Sequence, residues 1–256
     1  FIIGDSPFRL KSDGTTLNNW GNNTALAVED NDDGLVSRDE YLGVFYPSLF
    51  TSDNAGNNVV VPPSHGIMRT FALSDQVSFP WFAPAGTRRG GITNASAAGF
   101  VDAEGEFKSI ALNEGQRDTL YSLNINPITF LTGAGLVNFG QKTRARNASA
   151  LDRINVARLV IYLRSQLKKL AKPYIFEPND KITRDEIKAQ VDSLMLELVS
   201  QRALYDFLVV CDESNNTPSR IDRNELYVDI AIEPVKAVEF IYIPLRLKNT
   251  GEIAGL

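Results

Sequence analysis

The densest set of chemistry-bearing side chains in this sequence is the acidic run Glu29 to Glu40, EDNDDGLVSRDE. It follows much of a calcium-loop pattern: side-chain oxygens at Asn31 and Asp33, Gly34 at the sharp turn, Val36 at the apolar position and Glu40 as the twelfth residue. The first position departs from the pattern, because Glu29 stands where a tight loop takes the shorter Asp. The preceding Asn18–Thr24 stretch is also turn-like, so a solvated acidic turn is favoured over a calcium site at Glu29, Asn31, Asp33 and Glu40. Elsewhere the means for catalysis are thin. A single histidine, His65, leaves few routes to a hydrolytic triad or a multi-histidine metal site. No glycine-rich loop ends in Gly-Lys-Ser/Thr, and no nucleophile elbow is present. The one cysteine, Cys211, lies in the apolar run LYDFLVVCD and reads as a buried core thiol in a reducing compartment. The expectation is a protein that is not an enzyme and takes no cofactor.

Three other segments invite a binding or structural reading. Ser78–Ile92, SFPWFAPAGTRRGGI, couples Trp81 and Phe82 to a corner set by Pro84 and Gly86, with Arg89 just beyond. Fixed and permissive backbone angles together specify a bend and not a helix there. The two aromatics are expected in the core, and Arg88 or Arg89 is expected to pair with a carboxylate within the domain or across a subunit contact. The second segment, Ala150–Ala171, is an amphipathic helix with Val156, Leu159, Val160, Leu163, Leu167 and Leu170 on one face. Opposite them lie Arg158, Arg164, Lys168 and Lys169, with no acidic residue from Asn155 to Lys172. Such a face either steers an anionic partner or is simply solvated. In the third, Ile241, Ile243, Leu245 and Leu247 alternate in one strand, with Pro244 on the other side. A proline there suits an edge or an arm, and an apolar edge can be shared with a neighbour's sheet.

The elements that must position these residues are legible in outline. The chain has 256 residues, 43% hydrophobic and 22% charged, with a net charge of −5, values of a folded protein. No apolar run approaches the ~20 residues of a membrane span, and the acidic balance argues against nucleic-acid binding. The missing initiator Met suggests a fragment or an unrecorded start. Residues 1–38, rich in Asn, Asp and Gly, read as loops or the remnant of a preceding domain; residues 39–237 read as a core domain and 238–256 as a terminal strand and arm. Strands are expected at Tyr41–Tyr46, Val59–Val61, Pro127–Leu131, Leu136–Phe139, Leu204–Val210, Glu225–Ile232 and Val238–Leu247. Helices are expected at Gly66–Val77, Asn113–Ser122 and Ala150–Ala171, and from a capping box at Thr183 and Glu186 to Gln201. The fold class is α/β (α+β): a mixed β-sheet flanked by two long helices, its terminal strand available for augmentation.

In order, YLGVFYPSLF, VVVPPSHGIMRTFALSD, SFPWFAPAGTRRGGI, LYSLNINPITFLTGAGLVNFGQKT, RINVARLVIYL, YIFEPND and LYVDIAIEPVKAVEFIYIPLRL resemble the conserved C-terminal half of contractile tail sheath proteins. The resemblance spans roughly Tyr41 to Leu247. It implies a structural subunit that stacks with other sheath subunits as a helical sleeve around an inner tube, with terminal arms sharing strands between neighbours. It further implies contacts with the tail tube protein, the baseplate and the tail terminator, with neither nucleic acid nor membrane as a partner. The location implied is the tail of the virion, assembled in the host cytoplasm. Arg158, Arg164, Lys168 and Lys169 would then face the tube. The alternative is a calcium-binding module or another tail component of the tube or baseplate.

Overall fold

The computed structural model describes residues 1–22 and 38–242. Its centre is strand β2 (Leu42–Tyr46), buried along its whole length. Leu42, Val44 and Tyr46 point to one core and Phe45 to another, as the two-residue period of a strand covered on both faces requires. β2 lies parallel to β1 (Ile2–Asp5) and, on its other side, to β7 (Ile125–Leu131). β7 turns through Gly133 and Gly135 into antiparallel β8 (Gly135–Asn138), completing a mixed sheet in the order β1-β2-β7-β8. Pro47 passes the chain directly to β3 (Ser48–Ser52) of a second sheet. That sheet is antiparallel in the order β4-β3-β5-β6, with β4 at Asn58–Val61, β5 at Ala97–Val101 and β6 at Phe107–Ser109.

Residues 1–22 are not the loop-rich remnant expected from composition. β1 extends the mixed sheet, and α1 (Gly14–Asn22) drives Leu17 and Trp20 into the core beside Leu10. Asp13 caps α1 by accepting from the Thr16 amide at 2.8 Å. The expectation failed because β1 is only four residues long, and its parallel partner lies forty residues away. α4 (Glu114–Ser122) packs on α1 over the same core. Its start is a complete capping box: Asn113 accepts from the Gln116 amide while Gln116 accepts from the Asn113 amide. Tyr46 reaches this core with its hydroxyl satisfied by the Leu10 carbonyl at 2.9 Å. Arg144 is fully buried alongside, donating to the Leu123 carbonyl; burial first, and then nearby Arg38, pull its guanidinium down to about 10.

On the opposite face of the mixed sheet, α2 (Pro63–Val77) places Ile67 and Phe71 against Phe45, Leu49 and Ile128. His65 is exposed in its first turn. The two long helices, α5 (Ile154–Ala171) and α6 (Lys181–Ser200), have a core of their own. Only the root of α5 reaches the mixed sheet, where Ile154 joins the core around Phe45; beyond it the helices do not flank that sheet as expected. Leu159, Leu163, Ile187, Val191, Met195 and Leu198 instead pack with a two-stranded ribbon, β9 (Leu204–Val210) and β10 (Asp229–Pro234). The cap of α6 also differs from the Thr183–Glu186 box: Asp180 accepts from the Thr183 amide at 2.9 Å, and the helix starts at Lys181. β10 begins four residues later than expected. Asn216 holds Tyr227 through both its amide and its carbonyl, and so keeps Glu225–Val228 out of the ladder. A short helix, α7 (Pro218–Ile221), fills this connection. Cys211 is buried.

Candidate assembly surface

Two strands are too few to form a sheet that stands alone, and α6 supplies the missing face. Leu204, Phe207 and Val209 of β9, with Ile230 and Ile232 of β10, turn toward the helices. Tyr205 and Leu208 turn outward and are exposed. The order is simply β10-β9, so among the described residues each strand pairs on one side only. Two rows of backbone amides and carbonyls therefore lie at open edges, the arrangement that templates pairing with another chain.

The ribbon is carried by the Ser78–Ile92 segment. Trp81 is buried, stacks on Phe79 at 4.7 Å, meets Tyr162 of α5 edge-on, and donates its indole N–H to the Gln201 carbonyl at 3.1 Å. Phe82 is only half-buried: Arg89 lies 5.0 Å from its ring centre and Arg202 lies 6.0 Å away. The segment contains one helical turn, α3 (Gly86–Arg89), where a bend without helix was expected. Gly86 at φ +75° lets the chain enter that turn, and a Cβ on Gly90 would sit 2.6 Å from the Asn138 carbonyl. Buried Asn138 donates to the Pro84 carbonyl at 2.8 Å, which fastens the corner to β8. Among the described residues Arg89 meets no carboxylate within the domain; its Nε donates to the Ala83 carbonyl at 3.2 Å, because the turn brings that oxygen within reach. Burial, then Arg88 and Arg202, lower its affinity for a proton.

After Pro234 the chain leaves the ribbon as an extended strap. The Val235 amide donates to the Ala203 carbonyl at 3.0 Å. Asn155, at the start of α5, reaches both the Trp81 and Val235 carbonyls. Glu239 then clamps the strap to the other half of the molecule. Its two oxygens accept from Arg153 Nε at 2.6 Å and Nη2 at 3.0 Å, and Gln141 adds a third donor at 3.1 Å. The Tyr121 phenol also bonds Glu239; burial, then that carboxylate, push it well above its usual value. Past the clamp, Phe240, Ile241 and Tyr242 are exposed. Val238–Tyr242 carry no ladder bonds, so the expected strand does not form over these residues. Ile243, Leu245 and Leu247 lie outside the described residues, as do Glu29, Asn31 and Asp33; Glu40 is exposed.

The basic residues of α5 divide. Arg164, Lys168 and Lys169 are exposed, and Arg164 lies 5.4 Å from the Tyr41 ring centre. Arg158 departs from the expected open face. Its side chain is 10% exposed, ion-paired to Asp75 at 2.5 Å and set over Phe71 at 4.8 Å. Both partners belong to α2, which covers the first turns of α5 from the side opposite the apolar stripe. Among the described residues, no group of acidic, histidine or cysteine side chains is arranged to hold a metal. Sequence reasoning missed Glu239, Arg153 and Asn155. Their partners lie more than seventy residues away, and nothing local distinguishes them from surface residues.

Residues 147–248, which span α5, α6, the ribbon and the strap, match the phage tail sheath C-terminal domain family. The chain is 40% identical over 199 residues to the tail sheath protein of Vibrio phage KVP40, covering 76% of this chain and 28% of that protein. It is 34% identical over 200 residues to the tail sheath protein of Enterobacteria phage T4, covering 77% and 29%. The chain thus spans under a third of the length of these curated relatives. The fold is shared with a chain of the anti-feeding prophage helical sheath in its contracted state, at a TM-score of 0.71 and 23% identity, over 83% of this chain and 57% of that one. With the domain match, the curated relatives and the fold in agreement, the chain belongs to the contractile tail sheath family.

Proposed function

We propose that this chain is the tube-proximal, C-terminal part of a sheath subunit that polymerises as a helical sleeve around the inner tube of a phage tail. The sleeve contracts to drive the tube through the host envelope. The observation that carries this reading is the ribbon of β9 and β10 with its two open edges, beside a strap that leaves the ribbon after Pro234 and is clamped at Glu239. Each subunit offers edges for a neighbour's strands, and in the assembled sleeve its own terminal segment, Ile241 to Leu247, joins a sheet completed by an adjacent subunit. Strand sharing of this kind keeps subunits linked while they rotate, because the ladder tolerates twist better than a flat side-chain interface does. The exposed Arg164, Lys168 and Lys169 face the tube, where salt-screened attraction aligns the two layers and still lets them part. The energy of contraction resides in the difference between two packings of the same chains, so the subunit itself is not an enzyme. Other sheath subunits, the tube protein, the baseplate and the terminator are its partners, in a virion assembled in the host cytoplasm.

Deleting Val238 to Leu256 from the full-length subunit tests the arm. The expected outcome is a subunit whose helical signal and cooperative melting persist, because α5 and α6 bury their apolar faces internally, yet which forms no sheaths by electron microscopy. Ordered sheaths from the deleted protein would overturn the reading. Global unfolding would instead show that the terminal segment belongs to the core.

A further inference from the structure

The hairpin of α5 and α6 has two dissimilar ends. At one end the chain turns through Ile175, Phe176 and Glu177. Phe176 is fully exposed and sits at φ +80°, a left-handed backbone that a bulky side chain adopts only when its surroundings impose it. Here they do: the Glu177 amide donates to the Tyr174 carbonyl at 3.1 Å, and the Tyr174 hydroxyl accepts from Gln190 of α6 at 2.5 Å. Ile175 and Ile182 are exposed on either side. The Glu177 carboxylate has no ion-pair partner among the described residues. The result is a rigid apolar knob with an acid beside it.

At the other end, a cleft of about 660 Å³ opens under the strap. Phe82, Phe139 and Phe240 line it, Arg89 and Arg202 sit over the Phe82 ring, and Arg88 lines the cleft beside them. None of these three guanidiniums meets a carboxylate among the described residues, and Arg88 and Arg202 both bear electrostatically on Arg89. Glu114 and Asp118 lie on the far wall with Arg117, which is occupied by the Leu112 carbonyl and the Phe139 ring. The cleft is thus aromatic within and cationic at one rim.

We infer that the Ile175–Glu177 corner of one subunit docks into the cleft of a second copy, with Phe176 against the Phe82 and Phe139 wall and Glu177 between Arg88 and Arg202. This rests on the reading of the chain as a polymerising sheath subunit and adds a side-chain contact to the shared strands. A subunit's own corner cannot fill its own cleft. Asn155 lines the cleft and Phe176 follows the last turn of α5, so about 25 Å of helix separates them. Two complementary patches on opposite ends of one chain make a head-to-tail contact, and such contacts build rings or, where the rotation does not close, open helical arrays, not two-fold dimers. A knob already held in its bound shape loses little freedom on docking.

The test uses the full-length subunit. In sheaths assembled from an Ile175→Cys, Ala85→Cys double variant, which keeps Phe176, Glu177 and the arginines in place, a short bismaleimide is expected to give a ladder of linked subunits that the unassembled protein does not give. The single reversals Glu177→Arg and Arg88→Glu are expected to lose ordered sheaths, and the two combined to regain them. Well-formed sheaths with no ladder, or single reversals that assemble as the unmodified protein does, overturn this contact and leave the strand-sharing reading intact. Failure of the unmodified subunit to form sheaths at all would sink both.

Discussion

Trp81 joins three parts of the molecule at one indole: its own turn through Phe79, helix α5 through Tyr162, and the end of α6 through the Gln201 carbonyl. Replacing it with Ala leaves a cavity and an unpaired carbonyl, and is expected to cost about 3–5 kcal/mol in chemical denaturation. Trp81→Phe should recover most of the packing but not the hydrogen bond. Glu239 acts differently, because its partners hold a segment and not a core. Glu239→Gln removes the charge from a two-pronged contact with Arg153 and is expected to weaken the strap by about 1–3 kcal/mol. Amide exchange over residues 235–240 should quicken while the mixed sheet stays protected; unchanged exchange would show that Asn155 and the ribbon suffice. The turn at Trp81 was legible in the sequence, since its prolines and glycines act locally. The clamp was not, since a glutamate in a strand-like run reads like any other until Arg153 and Gln141, eighty-six and ninety-eight residues away, are in place.

Among the elements, β9 and the end of α5 were read to the residue, because a long apolar stripe and a continuous apolar run survive without tertiary help. α5 starts four residues later than expected, at Ile154, because such a stripe does not mark a helix start. The start of α6 was read from Thr183 and Glu186, but geometry gave the cap to Asp180, whose carboxylate can reach the Thr183 amide. That choice has a pH signature. The Thr183 backbone amide is the first cause that holds the Asp180 carboxyl below its ordinary value. A carboxyl lowered on folding stabilises fully above its unfolded value and loses that contribution as pH falls through the folded one. The first turn of α6 should therefore fray below about pH 4, read by amide exchange of residues 181–184, and Asp180→Asn should flatten that dependence while keeping the cap. β1 and α1 were unreadable for the opposite reason. Four residues without alternation become a strand only because β2 offers a parallel partner.

For the whole molecule, the separation of the basic residues decides what α5 can present. Arg158 is spent within the fold on Asp75 and Phe71, which leaves Arg164, Lys168 and Lys169 toward the far end of the helix. Reversing Lys168 and Lys169 together to Glu should leave the melting of the subunit within about 0.5 kcal/mol, as exposed substitutions usually do. Co-assembly with an acidic tube should drop, by less as salt is raised. Normal sheath formation on tubes across the salt range would show these lysines to be a solvated face.

The strap has a mechanical meaning as well. β10 meets β9 in an antiparallel ribbon that ends at Pro234, opposite Leu204, so a pull applied directly there would peel the ribbon open one pair at a time. The chain does not present that end to a load. Tension entering beyond Tyr242 reaches Glu239 first and passes through Arg153 into the root of α5 and the mixed sheet. The ribbon hangs behind this cleat in slack, and its ladder keeps its register for as long as the cleat holds.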